Sequence, residues 1–71
     1  MKIVKVIELI AVSDKSVEDA VHNAVAEASK TIRNIDSVYV KEVKAHVKEN
    51  KVTTWGVNCK ISFRLEDPAE V

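Results

Sequence analysis

Trp55-Gly56-Val57-Asn58-Cys59-Lys60-Ile61-Ser62-Phe63-Arg64-Leu65 is the stretch that decides the fold. Every second residue from Trp55 to Leu65 is apolar, and Gly56, Asn58, Lys60, Ser62 and Arg64 stand between them. Side chains alternate between the two faces of a pleated strand. The pattern therefore predicts a strand over residues 52–65 with one buried and one wet face. Typical strands run about five or six residues. So long a strand in a chain of 71 residues implies a sheet larger than one small helix covers. Copies of the same chain are expected to bury the remainder.

Upstream, residues 37–48 read as a strand that pairs with it as a hairpin. Val38 and Val40 share one parity, whereas Val43, Ala45 and Val47 share the other. The change of parity near Lys41-Glu42 predicts a β-bulge or a sharp bend there. Lys48-Glu49-Asn50-Lys51 is the turn, and without an Asn-Gly pair its type stays open. Further back, Ser16 is a good N-cap for a helix over 17–33, with Glu18 and Asp19 in the first turn, where the dipole favours negative charge. Asp19 stands where a capping box places its acid, although Glu or Gln is usual there. Val17, Ala20, Val21, Ala24, Val25, Ala28 and Ile32 form one apolar stripe. Its small residues allow close approach to a sheet. Lys30 and Arg33 suit the C-terminal end of the dipole.

Residues 2–12 (KIVKVIELIAV) are β-branched and nearly continuously apolar. Such a run expects burial on both faces, or one face on the core and the other on a neighbouring subunit. The order is β-α-β-β. Placing the last strand between the other two makes every pairing antiparallel, with a right-handed crossover. The expected fold is α+β: a three-stranded antiparallel sheet in the order 1-3-2, curled round one helix. Residues 1–71 are expected to form a single domain with a loose tail at 66–71.

A domain this small is marginal on its own core, and one cysteine excludes an intrachain disulfide, so self-association is the expected support. Cys59 lies on the apolar face and reads as a small buried hydrophobe. Eleven basic and eleven acidic residues balance, which argues against nucleic acid. No apolar stretch approaches membrane-spanning length, and no signal-peptide layout is seen, so no membrane partner and a cytoplasmic location are expected. No Ser/His/Asp or Cys/His arrangement and no Gly-rich phosphate loop is present, which argues against an enzyme.

The chain resembles the dodecins, small β-α-β-β proteins that assemble as hollow shells of twelve subunits. KVIELIAVS, SVEDAVHNAVAEASKTIRNI, VYVKEVKAHV and VTTWGVNCKISFRLED carry the likeness, which spans roughly residues 2–67. It implies a homo-dodecamer that stores or sequesters a flavin (FMN, riboflavin or FAD). In flavin-binding dodecins the rings stack between tryptophans and a glutamine meets the ring edge. Those positions match Ser37 and Gly56 here. Serine has no π-face and glycine no amide, so weak or altered flavin binding is expected. Members with an aromatic two residues later and a VKE run look closer, which makes Tyr39 the remaining stacking candidate. In some bacterial dodecins basic residues receive phosphate-bearing ligands such as coenzyme A, which brings in Arg64 and Lys60.

Each candidate also has a plainer role. Tyr39 suits a half-buried interface, Trp55 suits core or subunit packing, and Arg64 suits a surface salt bridge. His46 shares the parity of Lys44 and Lys48 and reads as a surface or interface histidine. Glu8, Asp36 and Glu42 would hold a divalent cation only if symmetry gathers copies. The alternative to a flavin protein is therefore a structural shell with metal ions at its axes.

Overall fold

The structure, a computed structural model, describes residues 3–65. The expected tail at 66–71 lies outside the described residues. The order is β1 (Ile3–Ser13), α1 (Val17–Ala28), β2 (Ile35–Lys48) and β3 (Lys51–Leu65). One antiparallel sheet has the order β1-β3-β2. The topology is the expected one, with β3 serving both neighbours.

The register runs unbroken between β1 and β3, from Ile3 opposite Leu65 to Ser13 opposite Trp55. It shifts three times between β2 and β3. The shift between Val40 and Glu42 is the bulge expected at Lys41-Glu42. At the turn, Glu49 has φ 52 and Asn50 φ 64. Positive φ at both central residues is the signature of a type I′ hairpin, whose twist suits the flanking strands.

Ser16 caps α1, its Oγ accepting from the Asp19 N–H at 2.9 Å. Such a cap contributes about 0.5–2 kcal/mol. The capping box does not close. The Ser16 N–H donates to Ser13 Oγ (3.4 Å), and Ser13 Oγ in turn donates to Asp19 Oδ2 at 2.6 Å. Ser13, buried at the end of β1, thus joins strand to helix.

The helix expected to reach residue 33 ends at Ala28. Lys30 and Thr31 N–H groups donate three residues back, to Glu27 and Ala28 carbonyls, each at 3.2 Å. This tightening is how helices often finish. Ser29 Oγ takes the Ala26 carbonyl at 2.8 Å, and Asn34 turns to φ 62. The last turn consequently carries no basic residue, and Lys30 pairs with Glu27 at 3.0 Å. Ile32 still packs on the core from outside the helix.

Ala20, Ala24 and Ala28 lie against Val57, Cys59 and Ile61, all buried. Full burial of a side chain such as Ile61 contributes about 1.5–3 kcal/mol. Ile7, Leu9, Ala11 and Val38 complete this face. Beyond Trp55 the hairpin loses its β1 partner and projects as a two-stranded arm, on which Val47 and Val52 are exposed. An isolated two-stranded ribbon is marginal in water, so this arm calls for cover.

Candidate functional site

The bulge at Lys41 decides which β2 side chains reach the face away from α1. Before it, Ser37 and Tyr39 stand opposite Ser62 and Lys60; after it, Glu42, Lys44 and His46 stand opposite Asn58, Gly56 and Thr54. One extra residue restores the parity that alternation alone would reverse. All these groups therefore share the bare face, with Val6, Ile10 and Val12 of β1. Those three aliphatics are 55%, 71% and 54% exposed. The double burial expected for β1 is absent within one chain.

A cleft of about 540 Å³ opens on this face. Ile10 and Val12 of β1 form one side, and Glu42, Lys44 and His46 of β2 form the other. Gly56 and Asn58 of the central strand make the floor. Gly56 is buried, and a β-carbon built there would meet His46 Nε2 at 3.4 Å and the Lys44 carbonyl at 3.9 Å. One added carbon at 56 would therefore only touch the imidazole, and a longer side chain would contend with it. Asn58 Oδ1 is shielded from water and is the one such side-chain oxygen among the described residues without a hydrogen-bond partner. Leaving a buried acceptor unpaired costs about 1–3 kcal/mol.

The four candidates named from sequence share this face but not one pocket. Gly56 floors the cleft. Tyr39, 64% exposed in the single chain, stands opposite Lys60, one bare-face position from the Asn58 pair. Ser37 lies further on, its hydroxyl 2.5 Å from that of Ser62. Arg64 is eight residues from Gly56, about 27 Å at the rise of an antiparallel strand. It borders a separate hollow of about 270 Å³ with Thr31, Arg33 and Asn34. Its N–H donates to the Asn34 carbonyl at 3.0 Å.

Trp55 is half-buried on the opposite, helix-bearing face, in line with Val57. Cys59 is fully buried, and burial pushes its thiol pKa up, which suits an inert core residue. Glu8 meets Lys41 Nζ at 3.6 Å, an exposed pair of little energetic weight. Among the described residues, no three His, Cys, Asp or Glu side chains converge to hold a metal. No helix among them is long and apolar enough to cross a membrane.

His46 and Asn58 were legible from sequence only as wet-face residues. A lone glycine among the polar positions of a strand signals close approach by another group. That was the available clue to His46.

The dodecin family model matches residues 3–66. The dodecin of Thermus thermophilus is 36% identical over 66 residues, spanning 93% of this chain and 96% of that protein. A crystal structure of an arginine-to-alanine variant of that dodecin superposes with TM-score 0.89 at 36% identity, covering 94% of this chain and all of the other (100%). The dodecin of Streptomyces coelicolor gives 0.87 at 36% identity, over 93% and 94% of the two chains. A calcium dodecin from Mycobacterium tuberculosis, described with a novel calcium-binding site, gives 0.78 at 27% identity, over 93% and 94%.

Proposed function

The chain belongs to the dodecin family, and we propose that it assembles as a homo-dodecamer and binds a flat small molecule on the bare face of its sheet. The cleft over Gly56 carries this reading. Its volume lies within the range of small-molecule sites, and its apolar side with a few polar groups is their usual make-up. The exposed Val6, Ile10 and Val12 supply the apolar surface for contact between copies. The role is binding or storage rather than catalysis, in the cytoplasm.

Flavin is the ligand class the resemblance implies. Ser37 cannot stack and Gly56 cannot hydrogen-bond through a side chain, so the contacts differ from a tryptophan–glutamine site. Tyr39, one position from the cleft and open to solvent, is the aromatic platform on this side. Arg64 and Lys60 suit a phosphate group on the same ligand, or coenzyme A.

Titration of FMN and riboflavin into the purified protein, followed by flavin fluorescence, tests the reading. Saturable quenching is the expected result. No quenching at roughly tens of micromolar, corresponding to less than about 7 kcal/mol of binding, would remove flavin. Tyr39→Ala should weaken any binding, and an unchanged affinity would take Tyr39 out of the site.

The likeness to the calcium dodecin favours a second reading, a shell that holds divalent cations where copies meet. Asp36 and Glu42 are exposed carboxylates on β2 that symmetry would have to gather. Calorimetric titration with calcium separates the readings, since this one predicts heat with calcium and none with flavin.

A further inference from the structure

We infer that Lys41, the bulge residue, sets how much of the bare face a ligand occupies: its ion pair with Glu8 is a strap across the central strand that ends the cleft short of Tyr39. The inference rests on the reading of the bare face as a small-molecule site, and adds the device that regulates its extent.

Glu8 belongs to β1 and Lys41 to β2, the two outer strands, yet Lys41 Nζ lies 3.6 Å from Glu8 Oε2. Two strand spacings, about 9.5 Å, separate those backbones. Side chains that meet over such a span lean toward each other above β3. Lys41 is placed for this by the bulge: the register passes from Val40–Cys59 to Glu42–Asn58 and leaves it without a partner. Such an extra residue has its side chain re-aimed. Glu8 is opposite Lys60 and Glu42 is opposite Asn58, so the pair crosses β3 between Lys60 and Asn58. The cleft ends at that crossing. Ile10, Asn58 and Glu42 form its last row, and none of Glu8, Lys41, Lys60 or Tyr39 lines it. Tyr39, opposite Lys60, stands just beyond. Asn58 Oδ1 is shielded from water on a face otherwise open to it, which requires side chains laid across the sheet, as this pair is.

The strap is built to release. Both side chains are partly exposed, and an exposed pair is worth little. Lys60 stands directly opposite Glu8 on the same face, where opposed β-carbons lie about 4.5–5.5 Å apart. Glu8 therefore has a second ammonium to turn to. In that arrangement its charge stays paired, Lys41 swings free, and the way from the cleft to Tyr39 is clear. A guest confined to the cleft leaves the strap closed. A guest that also lies on Tyr39 opens it, and its affinity is lowered by the cost of opening.

The test uses riboflavin, which is uncharged, so that salt acts on the protein's pair and not on the ligand. Raising sodium chloride from about 0.02 M to about 0.5 M should tighten binding to the native protein about twofold to fivefold, the scale of an exposed pair. Lys41→Met keeps the length of the stem without its charge. It and Glu8→Gln should each tighten riboflavin by that factor at low salt and lose the salt response. The double variant should gain no more than either single one, because both remove the same contact. Additive gains, or a salt response that persists in Lys41→Met, overturn the inference while the small-molecule reading survives. If the native protein binds no riboflavin, the flavin reading fails and the strap is judged without a ligand. Acetylation by acetic anhydride, followed by mass spectrometry, should then modify Lys41 faster in Glu8→Gln than in the native protein, with the exposed Lys48 of the hairpin arm unchanged. Equal Lys41 rates in the two proteins overturn the strap.

Discussion

His46 Nε2 stands 3.4 Å from the place of a Gly56 β-carbon, so β2 and β3 touch there through an imidazole and a bare backbone. Gly56 does not have positive φ, and glycine is thus not required by conformation. The distance is ordinary van der Waals contact for one added carbon. Gly56→Ala should therefore be neutral or gain about 0.4–1 kcal/mol through the unfolded state. Gly56→Gln places further atoms on the imidazole and should move its ring signals in an NMR spectrum. Urea midpoints and those signals check the pair; a stable Gln variant with unmoved His46 resonances would contradict the contact.

Ser13 gives the second prediction. Its hydroxyl donates to Asp19 at 2.6 Å and is the main reason the carboxyl pKa falls below its ordinary 3.8; the nearby Lys15 charge adds to the shift, while partial burial opposes it. A depressed folded pKa stabilises the fold fully above the unfolded value. The contribution is lost as pH falls through the folded value. Asp19→Asn should lower the denaturation midpoint at neutral pH and make no difference in strong acid. A deficit that persists in strong acid would place the loss in packing instead of charge.

Ala24, 2% exposed, sits in the middle of the buried stripe Ala20, Ala24, Ala28 that packs on the sheet's core side chains. Ala24→Leu should force helix and sheet apart and cost about 1–3 kcal/mol by overpacking. Denaturant titration reads the loss. Full stability would mean that the interface has slack.

Val6 lies on the bare face away from α1 and is 55% exposed in the chain. If copies cover that face, Val6→Asp buries a charge in the contact and lowers the assembled mass, while circular dichroism stays that of the native fold. Size exclusion with light scattering measures the mass. An unchanged assembly would mean that the contact lies elsewhere, and a stable native monomer at roughly micromolar concentration would remove self-association as the missing support.

The alternation Trp55 to Leu65 determined the long strand, and the parity switch in β2 determined the bulge at Lys41-Glu42. Ser16 marked the start of α1. Each is a local signal, because strand period, bulge and cap depend on neighbours in the chain. The resemblance added the family and the matched positions Ser37 and Gly56. The tertiary structure alone decided the rest. The helix stops at Ala28, where Ser29 and Thr31 close its last turn and the Asn34 carbonyl accepts from Arg64 of β3, although the apolar stripe continues to Ile32. Glu49 and Asn50 adopt a type I′ turn with no sequence signal for it, held by the pairing of Lys48 with Lys51. His46 comes to Gly56, and Asn58, its Oδ1 unpaired, lies between Ile10 and Glu42, through registers between residues far apart in the chain. Cross-strand register is the sum of all pairings along a ladder, shifted at each bulge. No single stretch encodes which side chain from β2 covers which backbone in β3.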